Sequence, residues 1–244
     1  MMQRDIHLTP DELLDTLQFK YGDFGEIGII CGQAERAKMC LKYLENPIKN
    51  FSFLGYTYWT GEYKGKRVTV GNGGFYAPDS AFTTELLCTG GLGTIIRIGS
   101  CGSMREDIVV GDFVVVDSVI RGEGTTPYYV DDSFEPTVDE EISQMLYDTF
   151  DQIGNVHTGC VWTTDALFRE TKEIVNKYIE KGAVAVDMVT SPLVTISNLY
   201  NKKVATIMAV SDNLITGDIG FNDIKFIESE MAMVKETFTL IEHL

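Results

Sequence analysis

Thr94-Ile-Ile-Arg-Ile-Gly-Ser-Cys-Gly-Ser103 sets an arginine inside an apolar run and ends in a Gly/Ser turn. A short Thr/Ile run of this kind reads as a buried strand over residues 94–99. A guanidinium in such a strand needs an anion, because an unpaired buried charge is costly. Two partners are open for Arg97. One is a carboxylate of the chain itself. The other is a bound anion such as phosphate, whose oxygens suit the planar donor fork of arginine. The turn Gly99-Ser100-Cys101-Gly102 would add backbone N–H donors and a hydroxyl to either.

Similar runs recur on both sides. Buried strands are expected at residues 27–31 (IGIIC), 112–120 (DFVVVDSVI), 159–164, 183–188 (AVAVDM) and 203–210 (KVATIMAV). Residues 56–63 and 66–71 alternate around Lys64-Gly65 and read as a hairpin. Helical spacing covers 34–44, 78–87, 140–150, 170–181, 192–200 and 222–240. Strands alternating with helices predict an α/β fold. It is a single domain over 1–244, with a mixed, mainly parallel sheet flanked by helices on both faces. Ligands in such sheets bind beyond the carboxyl ends of strands, so the residues found there are the candidates.

At one such end stands Gly32-Gln33-Ala34-Glu35-Arg36, where a Gly allows close backbone approach and a helix N-terminus favours an anion. It matches neither the dinucleotide fingerprint nor the P-loop. At another stands Asp212, in Ser211-Asp212-Asn213. It is open to two readings, an N-cap for the next helix and a general acid in a partly dry pocket. Trp162 is either core or a flat wall for an aromatic ligand.

With 36 acidic residues against 20 basic ones, the net charge is −16. A surface this acidic repels nucleic-acid phosphates and anionic lipid, so neither nucleic acid nor membrane is an expected partner. An anionic substrate would then need a local basic pocket. The odd number of cysteines and the lack of metal-ligand spacing predict reduced thiols, no metal site and a cytoplasmic protein. The N-terminal stretch MMQRDIHLTPDELLD is polar and lacks an apolar signal segment.

From about Gly25 to the C-terminus, the chain resembles the nucleoside phosphorylase family of hexameric purine nucleoside and uridine phosphorylases. The most specific stretch is Ile96–Ser103 (IRIGSCGS), then Val210–Asn213 (VSDN) and Thr60–Gly65 (TGEYKG). The resemblance implies phosphorolysis of a nucleoside to free base and (deoxy)ribose 1-phosphate, with a purine favoured. The partners are nucleoside and inorganic phosphate as co-substrate, with no cofactor, and the assembly is a dimer-based homohexamer serving nucleotide salvage. Carried over, Gly32, Arg36, Arg97 and Ser100 fall at phosphate-binding positions and Asp212 at the acid that protonates the leaving base. Met188 falls under the ribose, Cys101 and Gly102 beside the base, and Trp162 where an aromatic residue lines the base pocket. His7 corresponds to a histidine that reaches a neighbour's sugar.

Three departures stand out. The first loop lacks the family's Asp-Pro. Val186-Asp187-Met188-Val189 replaces V-E-M-E, so Val189 stands where a ribose-binding glutamate is expected, leaving Asp187 as the nearest carboxylate. No arginine precedes the hairpin, where Lys49 is the available cation. Alternative readings are a uridine phosphorylase, a hydrolytic nucleosidase and a non-catalytic nucleoside-binding or storage protein.

Overall fold

The computed structural model describes residues 6–244; residues 1–5, which open the polar N-terminal stretch, lie outside the described residues. In chain order the elements are α1 (Pro10–Thr16), β1 (Ile27–Cys31), α2 (Ala34–Cys40), β2 (Glu45–Phe53), β3 (Tyr56–Tyr63), β4 (Lys66–Asn72), α3 (Ala77–Thr89) and β5 (Thr94–Ser103). Then come β6 (Phe113–Gly122), α4 (Glu140–Phe150), β7 (Val156–Thr164), α5 (Lys172–Ile179), β8 (Ala183–Asp187), α6 (Thr190–Leu199), β9 (Lys203–Asn213) and α7 (Ile224–Ile241). No helix among the described residues is long and apolar enough to cross a membrane.

The apolar runs become the interior of one mixed sheet, ordered β2-β3-β4-β1-β5-β8-β7-β6-β9. β1 is buried at every position and pairs in parallel with β4 and β5. A strand without a polar side has to be covered on both faces. On one face α2, α4 and α7 supply Ala37, Leu146, Phe150, Val234 and Phe238. On the other, α1, α3 and α6 supply Leu14, Leu86, Leu87, Leu193 and Val194.

β5 also pairs in parallel with β9. Together with the β5–β8, β8–β7, β7–β6 and β6–β9 pairings, this closes the second part of the sheet on itself. The resulting five-stranded barrel is filled by Cys101, Val114, Val116, Val161, Ala185, Met208 and Val210. A barrel this narrow is filled by side chains and leaves no channel.

The structure departs from the expected elements in three places. Helix 34–44 stops at Cys40, a single 3₁₀ turn follows over Leu41–Tyr43, and edge strand β2 begins at Glu45. Pro47 cannot continue a helix, and Asn46 takes a left-handed φ of 49°. β2 is mostly exposed and irregularly paired to β3, so no alternation marked it. α1, also unexpected, is short but capped by a reciprocal Thr9/Glu12 box with proline at its start. Finally, β5 and β9 run on through the polar segments read as turns, because their mutual pairing extends to Gly102–Asp212 and Ser103–Asn213. Asp212 is therefore a strand residue, and the N-cap reading falls.

Close packing leaves little slack in this frame. Gly71 of β4 faces the fully buried Tyr58 of β3, and a Cβ at Gly71 would sit 2.1 Å from the tyrosine ring and 2.6 Å from the Thr57 carbonyl oxygen. We predict that Gly71→Ala lowers stability by about 1–3 kcal/mol. Urea unfolding should show a lower midpoint with an unchanged slope; an unchanged midpoint would contradict the packing argument.

Candidate active site

Arg97 is 4% exposed, and its guanidinium folds back over Gly99, two residues along the same strand. A Cβ on Gly99 would lie 2.1 Å from Nη1, so only glycine leaves the guanidinium its place. Of the two anions open to Arg97, the chain supplies one. Nη2 lies 3.0 Å from Oδ2 of Asp187, at the end of β8. Burial works against the Arg97 charge, and the Asp187 carboxylate is the main influence sustaining it. The pairing is incomplete, since Nε and Nη1 are buried without a partner. An unpaired buried donor costs about 1–3 kcal/mol, which a bound anion would recover.

Asp187 is held from three sides. Thr163 Oγ1 of β7 donates to Oδ1 at 2.8 Å, and Thr190 at the start of α6 donates through its N–H at 3.0 Å and its hydroxyl at 2.6 Å to Oδ2. With Arg97 added, both carboxylate oxygens are occupied, close to the four sites a carboxylate offers. Asp187 is therefore committed to the protein and has little capacity left for a sugar hydroxyl.

Arg36 reaches the same place from α2. Its Nη1 donates to the Ile98 carbonyl at 3.1 Å, Nη2 is paired with Glu230 of α7, and Nε is buried without a partner. Gly32 opens this loop at a close crossing, where a Cβ would stand 3.3 Å from the Gly74 carbonyl oxygen.

Asp212 arrives by a register shift. β5 and β9 pair residue for residue up to Cys101–Val210, then Ser211 is skipped and Gly102 pairs with Asp212. Such an extra residue re-aims the side chains beyond it. Gly102 makes room, because a Cβ there would be 3.0 Å from Asp212 Oδ2. Burial raises the Asp212 pKa, while the Ser211 hydroxyl, donating at 2.6 Å, partly offsets this.

These side chains share one cavity of about 290 Å³, lined by Gly32, Arg36, Arg97, Ser100, Cys101, Gly102, Asp187, Met188, Val189 and Asp212. Every site residue expected from the sequence lines it except His7 and Trp162. Trp162 is 2% exposed and stacks on Tyr178 at 3.9 Å between ring centroids, within a cluster with Val175 and Val186. It belongs to the core, and the cavity's apolar lining includes Leu167 and Phe221 instead. His7 is exposed before α1 and away from this cavity. Lys49 is exposed on β2 and does not line it either.

Two carboxylates pass unnoticed in the sequence. Glu230 sits on an ordinary amphipathic helix, where nothing marks it as the partner of Arg36. Glu170, just before α5, lines the cavity. Its pKa is pushed up to about 7, first by burial and then by the charge of Asp212. Its position at a strand-to-helix connection was the available signal.

A larger groove of about 630 Å³ runs between α1, α3 and the Gly124–Tyr129 loop. Its walls are mainly Leu8, Leu13, Phe82 and Tyr128, with Glu85 and Asp165 already accepting hydrogen bonds from Tyr129 and Gly124. It brings together no cation and no poised acid, whereas the smaller cavity holds both.

Residues 26–244 match the sequence profile of the phosphorylase superfamily. A DeoD-type purine nucleoside phosphorylase from Bacillus cereus is 30% identical over 209 residues, 83% of this chain and 88% of the relative. One from Clostridium perfringens is 32% identical over 203 residues, 82% of this chain and 86% of the relative. Among solved structures, a uridine phosphorylase from Vibrio fischeri superposes with a TM-score of 0.84 at 21% identity, covering 93% of this chain and 98% of the other. A purine nucleoside phosphorylase from Toxoplasma gondii bound to immucillin-H superposes with 0.83 at 20% identity, covering 98% and 96%. With the match running across nearly all of its length, the chain belongs to the nucleoside phosphorylase family.

Proposed function

We propose that the protein cleaves the N-glycosidic bond of a nucleoside, a purine nucleoside first, with inorganic phosphate as the attacking group and without a cofactor. One observation carries this reading. A single cavity joins unsatisfied guanidinium donors to a half-buried carboxyl of raised pKa. Arg97 lies over Gly99 and Asp212 beside Gly102, so three strand residues, about 10 Å, separate the two functions. That separation suits a phosphate and a base on opposite sides of one sugar.

In this reading Arg36, Arg97 and Ser100 hold phosphate against the anomeric carbon. Met188 and Val189 floor the sugar subsite. The breaking C–N bond leaves positive charge on the sugar, which the phosphate stabilises, and negative charge on the base, which the Asp212 proton quenches. The reading includes a dimer-based hexamer. Phe75 and Tyr76 at the cavity and Phe168 beside it are exposed aromatic residues of the kind a neighbouring subunit covers.

Internal pairing of both arginines favours a second reading, a nucleosidase that uses water. Three guanidinium nitrogens left without partners weigh against it.

The deciding assay follows base release with and without phosphate. Release that depends on phosphate is expected, and equal rates in its absence would establish the hydrolytic reading instead. Asp212→Asn should cut kcat by about 10²-fold or more. Because only the protonated carboxyl can give its proton away, kcat/KM should fall as pH rises through the raised pKa of Asp212; a flat alkaline limb would remove Asp212 from this role.

Val189 supplies a second prediction. Its side chain accepts no hydrogen bond, and the adjacent Asp187 is fully engaged. Ribose hydroxyls here would lose hydration without gaining partners. 2′-Deoxynucleosides should therefore be favoured in kcat/KM by about tenfold, and Val189→Glu should reverse the preference. Equal use of both sugars by the wild type would contradict this.

A further inference from the structure

The cavity is chemically lopsided. The end that holds Arg36 and Arg97 offers donors, among them the buried and unpartnered Nε and Nη1 of Arg97. Around Asp212 the ionisable side chains are acids only. Glu170 reaches this end from the connection between β7 and α5, and Asp212 reaches it from β9. The two carboxyl groups are near enough for the charge of Asp212 to act on Glu170. No hydrogen bond or ion pair holds the Glu170 carboxyl among the described residues. The basic residue next to it, Arg169, is exposed and does not line the cavity. Leu167 and Phe221 complete the surroundings and give no polar group from their side chains.

Such an end has a clear preference. A base that presents carbonyl oxygens would face two acids, acceptor against acceptor, unless each carries a proton. A base that presents an amino group next to a basic ring nitrogen satisfies both acids at once. One acid gives its proton to the ring nitrogen, and the other accepts from the amino N–H. The 6-aminopurine edge, with N7 beside the exocyclic amino group, has this pattern. The 6-oxopurine edge keeps N7 but turns the second position from donor to acceptor.

We infer that Glu170 is a base-reading residue, paired with Asp212, that selects 6-aminopurines over 6-oxopurines. The inference rests on the phosphorylase reading for the orientation of the ligand. Asp212 donates to N7 and Glu170 accepts from the 6-amino group, while Leu167 and Phe221 supply the apolar sides. Asp212 donates only while the pair keeps one proton and Glu170 accepts only as a carboxylate, so the preference belongs to the singly protonated pair, below about pH 7, and is lost as alkali removes that proton.

The test runs at about pH 6, where the pair holds one proton, with wild type, Glu170→Gln and Glu170→Ala, all checked for an unchanged melting temperature. First, kcat/KM is measured for adenosine and inosine at saturating phosphate. Separately, equilibrium binding of free adenine and hypoxanthine is measured by calorimetry. Wild type should favour the amino form by about tenfold or more. In Glu170→Ala the ratio should fall to within about threefold of unity, with the phosphate KM unchanged. A site built to pair with a polar group discriminates strongly against the analogue that lacks the match, and truncation removes that discrimination. A ratio that survives in Glu170→Ala, a wild type that favours the 6-oxo form, or failure to bind either base would each overturn the assignment. If no nucleoside is turned over but adenine binding is preferred and the preference is lost in Glu170→Ala, the phosphorylase reading fails and the role of Glu170 stands.

Discussion

The ion pair between Arg97 and Asp187 holds the centre of the molecule together. It ties β5 to β8, and through Thr163 and Thr190 it also engages β7 and the first turn of α6. β5, β7 and the adjoining start of α6 therefore converge on one carboxylate at the end of β8. Removing one partner of such a pair costs about 3–5 kcal/mol, because the other charge stays buried alone. The fold accepts that exposure to risk at the same position where it needs a guanidinium with donors to spare. Nη2 ties the strands together, while Nε and Nη1 of the same side chain keep donors without partners.

Charge places a second demand on this centre. The chain carries −16 overall, yet its cavity gathers two arginines. At physiological ionic strength surface charges fade over about 8 Å, so the acidic exterior weakly opposes an incoming anion, while the buried guanidinium groups act at short range with little screening. Asp187 and Glu230 temper the two cations without fully satisfying them. In the proposed reading, phosphate affinity would depend on a few unmatched N–H groups and owe little to net charge.

How much of this was legible in the sequence depended on burial. Strands β1, β5 and β9, and the first half of β6, were readable because burial on both faces writes an apolar run. Edge strand β2 left no such record, since its exposed positions obey only its pairing with β3. Gly32, Arg36, Arg97 and Asp212 were found because Gly, Arg and Asp at the ends of apolar strands are unusual, whereas Met188, Cys101 and Gly102 came from the family resemblance. Trp162 misled because a buried indole and a pocket-lining indole look alike until neighbours are known, and its neighbour proved to be Tyr178. Glu230 and the double commitment of Asp187 were out of reach, because they depend on which distant elements meet. The continuation of β5 and β9 past their apolar cores was hidden by the same glycines and polar residues that make the site.

Closure of the barrel also dictates when the site comes into being. Strand β5 must wait for β9, since Thr94 pairs with Lys203 from a remote part of the chain, and β8 and β6 must already flank them for the ring to shut. Contacts between such distant segments form late, after the entropy of closing a long loop has been met. Gly102 and Asp212 acquire their relative places only when β5 and β9 meet. A partly folded chain with β1 to β4 in order holds only the side of the cavity formed by Gly32, Arg36 and Gly74, and completion of the fold is what brings Asp212 to it.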